Sequence, residues 1–202
     1  MPAPGRPQQP PQILPDVKHI VAIASGKGGV GKTIITANLA LSLAQRYGSE
    51  ASIVAVDLDL GCGNLNACLG VRSPNGTIDG FLTHKVSNLE QLLTPTHQSN
   101  LQMICSSYSG SPKTRLDEER KQSLLKQLNS LGANFTLIYL GAGTSEDVLD
   151  IFLDASEKII VITPESLSLH NAFVFLKSAI LRFLWTELGR EDFLNPVRSN
   201  LV

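Results

Sequence analysis

The sequence predicts an α/β fold of three layers, a mostly parallel sheet with helices on both faces. Three observations predict it. Short β-branched apolar runs alternate with segments of helical period from residue 18 to about residue 185. A glycine-rich turn joins the first of these runs to the first helical segment. The chain has 202 residues, 43% of them hydrophobic, which is enough for one domain with a substantial core. Alternation of this kind buries both faces of the sheet and places a ligand at the carboxyl ends of its strands.

The elements follow in order. Residues 1–17 begin MPAPGRPQQPPQILPD, proline-rich and without the apolar core of a signal sequence, and are expected to form a flexible leader. Residues 18–185 form the domain. Strands are expected at 20–24, 52–57, 101–105, 135–140 and 158–163, each a short apolar run. Helices are expected at 32–47, 116–131 and 168–185, with shorter ones near 64–69, 88–93 and 146–153. In the first helix Ile35, Leu39 and Leu43 share a stripe and Gly48 is the stop. In the second, Leu124, Leu128 and Leu131 recur at helical spacing, with acids in the first turn and Gly132 after it. In the third, Leu169, Phe173, Leu176, Ile180 and Phe183 form a stripe expected to face the sheet. The closing stretch 186–202, TELGREDFLNPVRSNLV, is expected to be irregular, with no basic amphipathic helix of the kind that lies on a bilayer.

Composition narrows the partners. Lys and Arg number 17 and Asp and Glu 18, a formal charge of −1, so no global field draws the chain to DNA or anionic lipid. Nucleic acid is therefore not an expected partner. No uninterrupted apolar run of ~18 residues is present, so no membrane span is expected. Cys62, Cys68 and Cys105 form no C-x-x-C pair and read as small buried residues of a protein in a reducing cytoplasm. The four histidines show no ligand spacing.

Chemistry concentrates in residues 25–33, SGKGGVGKT. The last eight fit G-x-x-x-x-G-K-[ST], with Gly26, Gly31, Lys32 and Thr33 at the fixed places and Val30 within the loop. Gly28, Gly29 and Gly31 let consecutive backbone amides approach phosphate oxygens without a Cβ in the way. The helix that starts there adds a dipole worth only ~0.3–2 kcal/mol, whereas micromolar binding needs about 8 kcal/mol. Lys32 on the β/γ-phosphates and Thr33 on a magnesium ion would supply the difference. The loop is a nucleotide site with ATP and Mg²⁺ as expected ligands. Lys27, at its mouth, has no place in that cradle.

KGGVGKT resembles the deviant Walker A motif of the MinD/ParA family of P-loop ATPases. The segment IVAVDLDLGCGNLNACLG (53–70) is similar to the family's switch I, and LGAGTSEDVLDIFL (140–153) to its switch II. The strand and helix of 159–179 match as well, so the resemblance spans roughly residues 18–184. Within the family the wording is most similar to the flagellar number regulators FlhG, FleN and YlxH. The resemblance implies a P-loop NTPase fold and an ATP-bound homodimer in which Lys27 reaches the partner's phosphates. It also implies a protein partner in flagellar or positioning machinery. It assigns Asp57 to the magnesium shell and Asp59 to the attacking water, with the amides of Gly141 and Gly143 on the γ-phosphate. Lys27, Lys32 and Asp59 are then the catalytic set. Family members run on beyond this length, so C-terminal shortening is an expectation, as is a cytoplasmic protein whose association with the inner membrane stays open.

One position departs from the pattern. In FTLIYLGAG, Tyr139 stands where the family has the Walker B aspartate. A phenol with an ordinary pKa of about 10 is neutral and cannot replace that anion. Slow hydrolysis is the expectation, with a binding-only regulatory module as the alternative. A DNA-partitioning role is a further alternative, which the balanced charge does not favour. An iron–sulfur reductase on the same fold would need bridging cysteines not found here, and a ligase a substrate pocket that the sequence does not declare.

Overall fold

In a computed structural model, residues 18–60, 63–106 and 116–199 are described, with side chains to residue 188. The expected leader, and Cys62, lie outside them. The chain runs β1 (His19–Ser25), α1 (Lys32–Tyr47), β2 (Ile53–Leu58), α2 (Leu65–Cys68), α3 (Ile78–Leu82), β3 (Thr94–Pro95) and β4 (Leu101–Ile104). It continues through α4 (Glu118–Ser130), β5 (Phe135–Ala142), α5 (Glu146–Asp154), β6 (Glu157–Ile160) and α6 (Ser166–Ser199). The six strands form one sheet in the order β3-β4-β2-β5-β1-β6, parallel except for the antiparallel β3–β4 pair. The segment expected as a helix near 88–93 is a 3₁₀ turn at Leu89–Leu92.

Helices cover both faces, as expected. On one face Ala22, Ala24, Val54, Val56, Ile138 and Leu140 pack beneath α4, α5 and α6. On the other, Ile23, Ile53, Ala55, Met103 and Leu137 pack beneath α1 and α2. The β5 run is buried from Thr136 to Leu140, which fits a central strand with neighbours on both sides. In α4, Leu124, Leu128 and Leu131 are buried and Asp117 caps the start by accepting from the Arg120 amide at 2.7 Å.

Two helices differ from expectation, for one reason. The buried face of α1 consists of Thr36, Ala37, Ala40 and Ala44, while Ile35 is exposed and Leu39 and Leu43 only flank the core. Among the described side chains of α6, the buried residues are Ser168, Ala172, Phe175 and Ala179. The stripe expected to face the sheet is solvent-facing: Leu169 is 51% exposed, Phe173 65%, Leu176 46%, Ile180 59% and Phe183 50%. The side chains that α1 and α6 turn to the sheet are mostly small, which lets the helix backbones approach closely, and the larger apolar residues lie on their other faces. Phe175 is the exception, held edge-on against Phe152 with centroids 5.0 Å apart.

The stretch expected to be irregular from residue 186 is also different: α6 continues to Ser199. Its portion Ser166–Leu188 is apolar on nearly every side and, by length and composition alone, is long enough to cross a membrane. The expectation that no such segment exists rested on unbroken apolar runs. A helix tolerates Ser168, Lys177 and Arg182 within a span whose mean hydropathy still reaches 1.3. Arg182 is occupied within the domain, donating to both carboxylate oxygens of Asp150 at 2.7 and 2.9 Å.

Candidate nucleotide site

β1 ends at the buried Ser25, and the chain then turns through Gly26–Gly31 into α1. Gly26 is required by packing. A Cβ there would lie 2.1 Å from the backbone oxygen of Asn171, so α6 presses its main chain against the loop. Gly31, at φ +94°, supplies the left-handed residue that starts α1. No side chain caps that helix and its first turn holds no acid, so its leading amides face the loop with the dipole uncompensated. Val30 is buried and anchors the loop in the core with Ile23 and Ala37. Among the described residues, nothing lies within 4 Å of where a Cβ on Gly28 or Gly29 would stand.

Lys32 is 5% exposed, and its ammonium donates to the Ser25 hydroxyl at 2.7 Å. Ser25 in turn donates to the Lys27 carbonyl at 2.7 Å. Burial pushes the Lys32 pKa down, and the charge of Asp59 partly opposes that fall. A buried cation whose hydrogen-bond partner is a neutral hydroxyl favours the arrival of an anion. Lys27 lies at the rim and donates to Glu165 Oε2 of the same chain at 3.2 Å.

The strand ends opposite complete the site. Asp57 on β2 and Tyr139 on β5 are register partners. Asp57 is fully buried and accepts from the amides of Asp59 at 3.0 Å and Leu65 at 3.3 Å, tying the end of β2 to the start of α2. Burial raises its pKa from 3.8 to about 6, against those hydrogen bonds. Gly63 sits so close that a Cβ would lie 2.5 Å from Asp57 Oδ2. Thr33 donates to the Tyr139 hydroxyl at 3.1 Å, and that hydroxyl donates to Asp59 Oδ2 at 3.5 Å. Burial raises the Tyr139 pKa, so the phenol is neutral. Gly141 lies against Asp59, and the Gly143 amide donates to the Ser25 carbonyl at 3.1 Å.

The structure thus brings Lys32, Thr33, Asp57, Asp59 and Gly141 around one loop. Lys27 faces Glu165, and the Gly143 amide is committed to Ser25. Ser25, Gly63 and Glu165 are the residues that sequence reasoning missed. Ser25 had a signal, a polar residue closing an apolar strand immediately before the glycines. Glu165 had none, because its contact joins positions 138 residues apart.

Magnesium in nucleotide sites takes phosphate oxygens and water plus one or two protein carboxylates. Here both Asp57 oxygens are engaged by backbone amides, and the group beside Thr33 is a neutral phenol. Asp59 is the remaining carboxylate, and it faces that phenol. Each Asp57 oxygen keeps a lone pair beyond its amide bond, so Thr33 and Asp57 could still hold an ion, but with a phenol where a carboxylate would stand they would hold magnesium less firmly.

A cavity of about 510 Å³ opens on the other side of Asp59, floored by Leu58, Leu116, Leu124 and Leu140 and rimmed by Thr144 and Glu146. It borders switch II rather than the glycine loop.

Comparison with known proteins agrees with the geometry. The ParA family model, described as a NUBPL iron-transfer P-loop NTPase, matches residues 16–177. The chain belongs to the ParA/MinD family of P-loop NTPases. The septum site-determining protein MinD of Helicobacter pylori is 38% identical over 158 residues, 76% of this chain and 56% of the relative. The chloroplastic MinD homolog of Arabidopsis thaliana is 34% identical over 170 residues, 80% of this chain and 50% of that protein. Among solved structures, the cell division ATPase MinD of Pyrococcus furiosus superposes with a TM-score of 0.65 at 31% identity, covering 81% of this chain and 68% of that one. MinD of Pyrococcus horikoshii, solved with Mg-ADP, gives 0.66 at 30% identity, with 81% and 66% covered. The chain spans about half the length of these curated relatives.

Proposed function

We propose that this chain is a nucleotide-operated switch of the MinD/ParA type, which binds ATP in the Gly26–Thr33 loop, pairs with a second copy and turns ATP over slowly. The observation that carries this reading is the buried Lys32 ammonium, which among the described residues donates to the neutral Ser25 hydroxyl and feels the nearby charge of Asp59 at the open start of α1. A triphosphate supplies the anion that this cation lacks. Lys27, at the rim, is the residue that would reach phosphates bound by the other copy. Its present bond to Glu165 is an exposed ion pair of about 0.2–1 kcal/mol, weak enough to be exchanged for a phosphate. Asp59, beside Gly141, is placed to orient water. Loss of the γ-phosphate then weakens the pairing.

The cargo proposed is a structure counted or placed in the cell. A flagellar role rests on the wording of the quoted motifs alone, whereas the MinD relatives favour septum placement. A second reading, nucleotide binding with no turnover, is favoured by Tyr139 at the position of the missing carboxylate. Sizing by light scattering with ATP, ADP and a non-hydrolysable analogue tests the switch. A dimer with ATP and the analogue but not with ADP supports it, and equal mass in all three states overturns it. Phosphate release separates the two readings.

A further inference from the structure

We propose that the Tyr139 hydroxyl replaces the divalent-metal shell of this site, so that the chain binds adenine nucleotide with little dependence on a divalent cation. The inference rests on the reading of Gly26–Thr33 as a nucleotide loop and concerns how that loop neutralises phosphate.

The three side chains at the expected metal position are joined in one row of contacts. Thr33 donates to Tyr139, and Tyr139 donates to Asp59, at 3.1 and 3.5 Å. The Tyr139 hydroxyl thus stands between Thr33 and Asp59, two of the side chains expected around the ion. A hard dication gains most from anionic oxygen and holds its waters firmly, so a neutral phenol is a poor substitute for the second carboxylate. Asp57 is held by the amides of Asp59 and Leu65, which leaves it only its remaining lone pairs for an ion.

The site has other means of meeting phosphate. The Lys32 ammonium lies 5.8 Å above the Tyr139 ring, so cation and phenol face the same space. The Tyr139–Asp59 contact is at the outer limit of a hydrogen bond, which makes the phenol proton available to a nearer phosphate oxygen. The loop amides and Lys32 supply the remaining contacts. A phosphate group bound this way is held by a lysine, a phenol and backbone, with the metal an accessory.

The test is ATP and ADP binding to the full chain by calorimetry, once in excess Mg²⁺ and once in excess EDTA, for the wild type, Tyr139→Asp and Tyr139→Phe. For the wild type, a difference in Kd of less than about tenfold between the two conditions supports the proposal, and a larger one overturns it. Tyr139→Asp is expected to create a dependence of more than about tenfold, and an unchanged ratio in a folded Tyr139→Asp chain counts against the proposal. Tyr139→Phe keeps the ring and the fold. It is expected to weaken binding in EDTA by roughly three- to tenfold, and unchanged affinity there overturns the role given to the hydroxyl. Absence of binding in both conditions would overturn the nucleotide reading as well, so the two failures are distinct.

Discussion

Asp57 gives a prediction that needs no nucleotide. It is buried beneath the start of α2, and burial raises its pKa from 3.8 to about 6. A carboxyl that binds its proton more tightly in the folded chain stabilises that chain while it is protonated. This contribution is fully present below about pH 3.8 and is lost as the pH rises through about 6. The gap corresponds to about 3 kcal/mol, an upper figure because the neighbouring amides relax with it. The perturbation is Asp57→Asn, which keeps the shape and cannot ionise. Glu118, Asp150 and Glu157 run the opposite way, with lowered pKa values, and lose stabilisation as the pH falls, whereas burial raises Asp79 as it does Asp57. The quantity to measure is therefore the difference between wild type and variant, by urea unfolding followed by circular dichroism from pH 4 to 7.5. Wild type is expected to lose about 2–3 kcal/mol relative to the variant across that window. A difference that stays constant with pH would refute the assignment of a raised pKa to Asp57.

Two further predictions concern the α6 side of the site. Phe175→Ala is expected to cost about 3–5 kcal/mol, whereas Phe173→Ala, two positions away and 65% exposed, is expected to change stability by less than about 0.5 kcal/mol. Equal effects in thermal unfolding would reverse the assignment of the buried face. Glu165→Ala is expected to change stability by less than about 1 kcal/mol while releasing Lys27. Light scattering should then show ATP-dependent pairing at severalfold lower protein concentration, and pairing that weakens instead would show that Glu165 serves the dimer.

The parts of this molecule that were legible in sequence are those fixed by contiguous residues. The strands β1, β2, β4 and β5 begin and end within two residues of expectation, and α1 spans the expected range. In each case one apolar run or one periodic segment carries the signal. The glycine loop was legible because phosphate binding demands its residues in a row. The antiparallel β3 of two residues and the five-residue α3 were not, since neither is long enough to show a period. The buried faces of α1 and α6 were misread because periodicity weights large apolar residues, while close approach to a sheet selects alanine and serine. The partners of Lys27 and Lys32 depend on the fold: Glu165 is distant in sequence, and Ser25 meets Lys32 only after the loop has closed.

Ser25 connects these contacts. Its hydroxyl accepts from Lys32 and donates to the Lys27 carbonyl, and its own carbonyl accepts from the Gly143 amide. A phosphate competes with Ser25 for Lys32, and the exchange favours phosphate, since a hydrogen bond between two ions is worth roughly twice one with a neutral partner. Once Lys32 leaves, Ser25 has one bond fewer to hold Lys27's backbone and the segment after β5 in their present places. Those are the rim lysine proposed to meet a second copy and the glycine proposed to meet the γ-phosphate. A ligand moves a conformational equilibrium only by binding one arrangement better than the other. Here the difference is concrete: in the present arrangement Lys32, Lys27 and the Gly143 amide each hold a partner within the chain, and each of those bonds would have to be exchanged in the arrangement proposed for the nucleotide-bound pair.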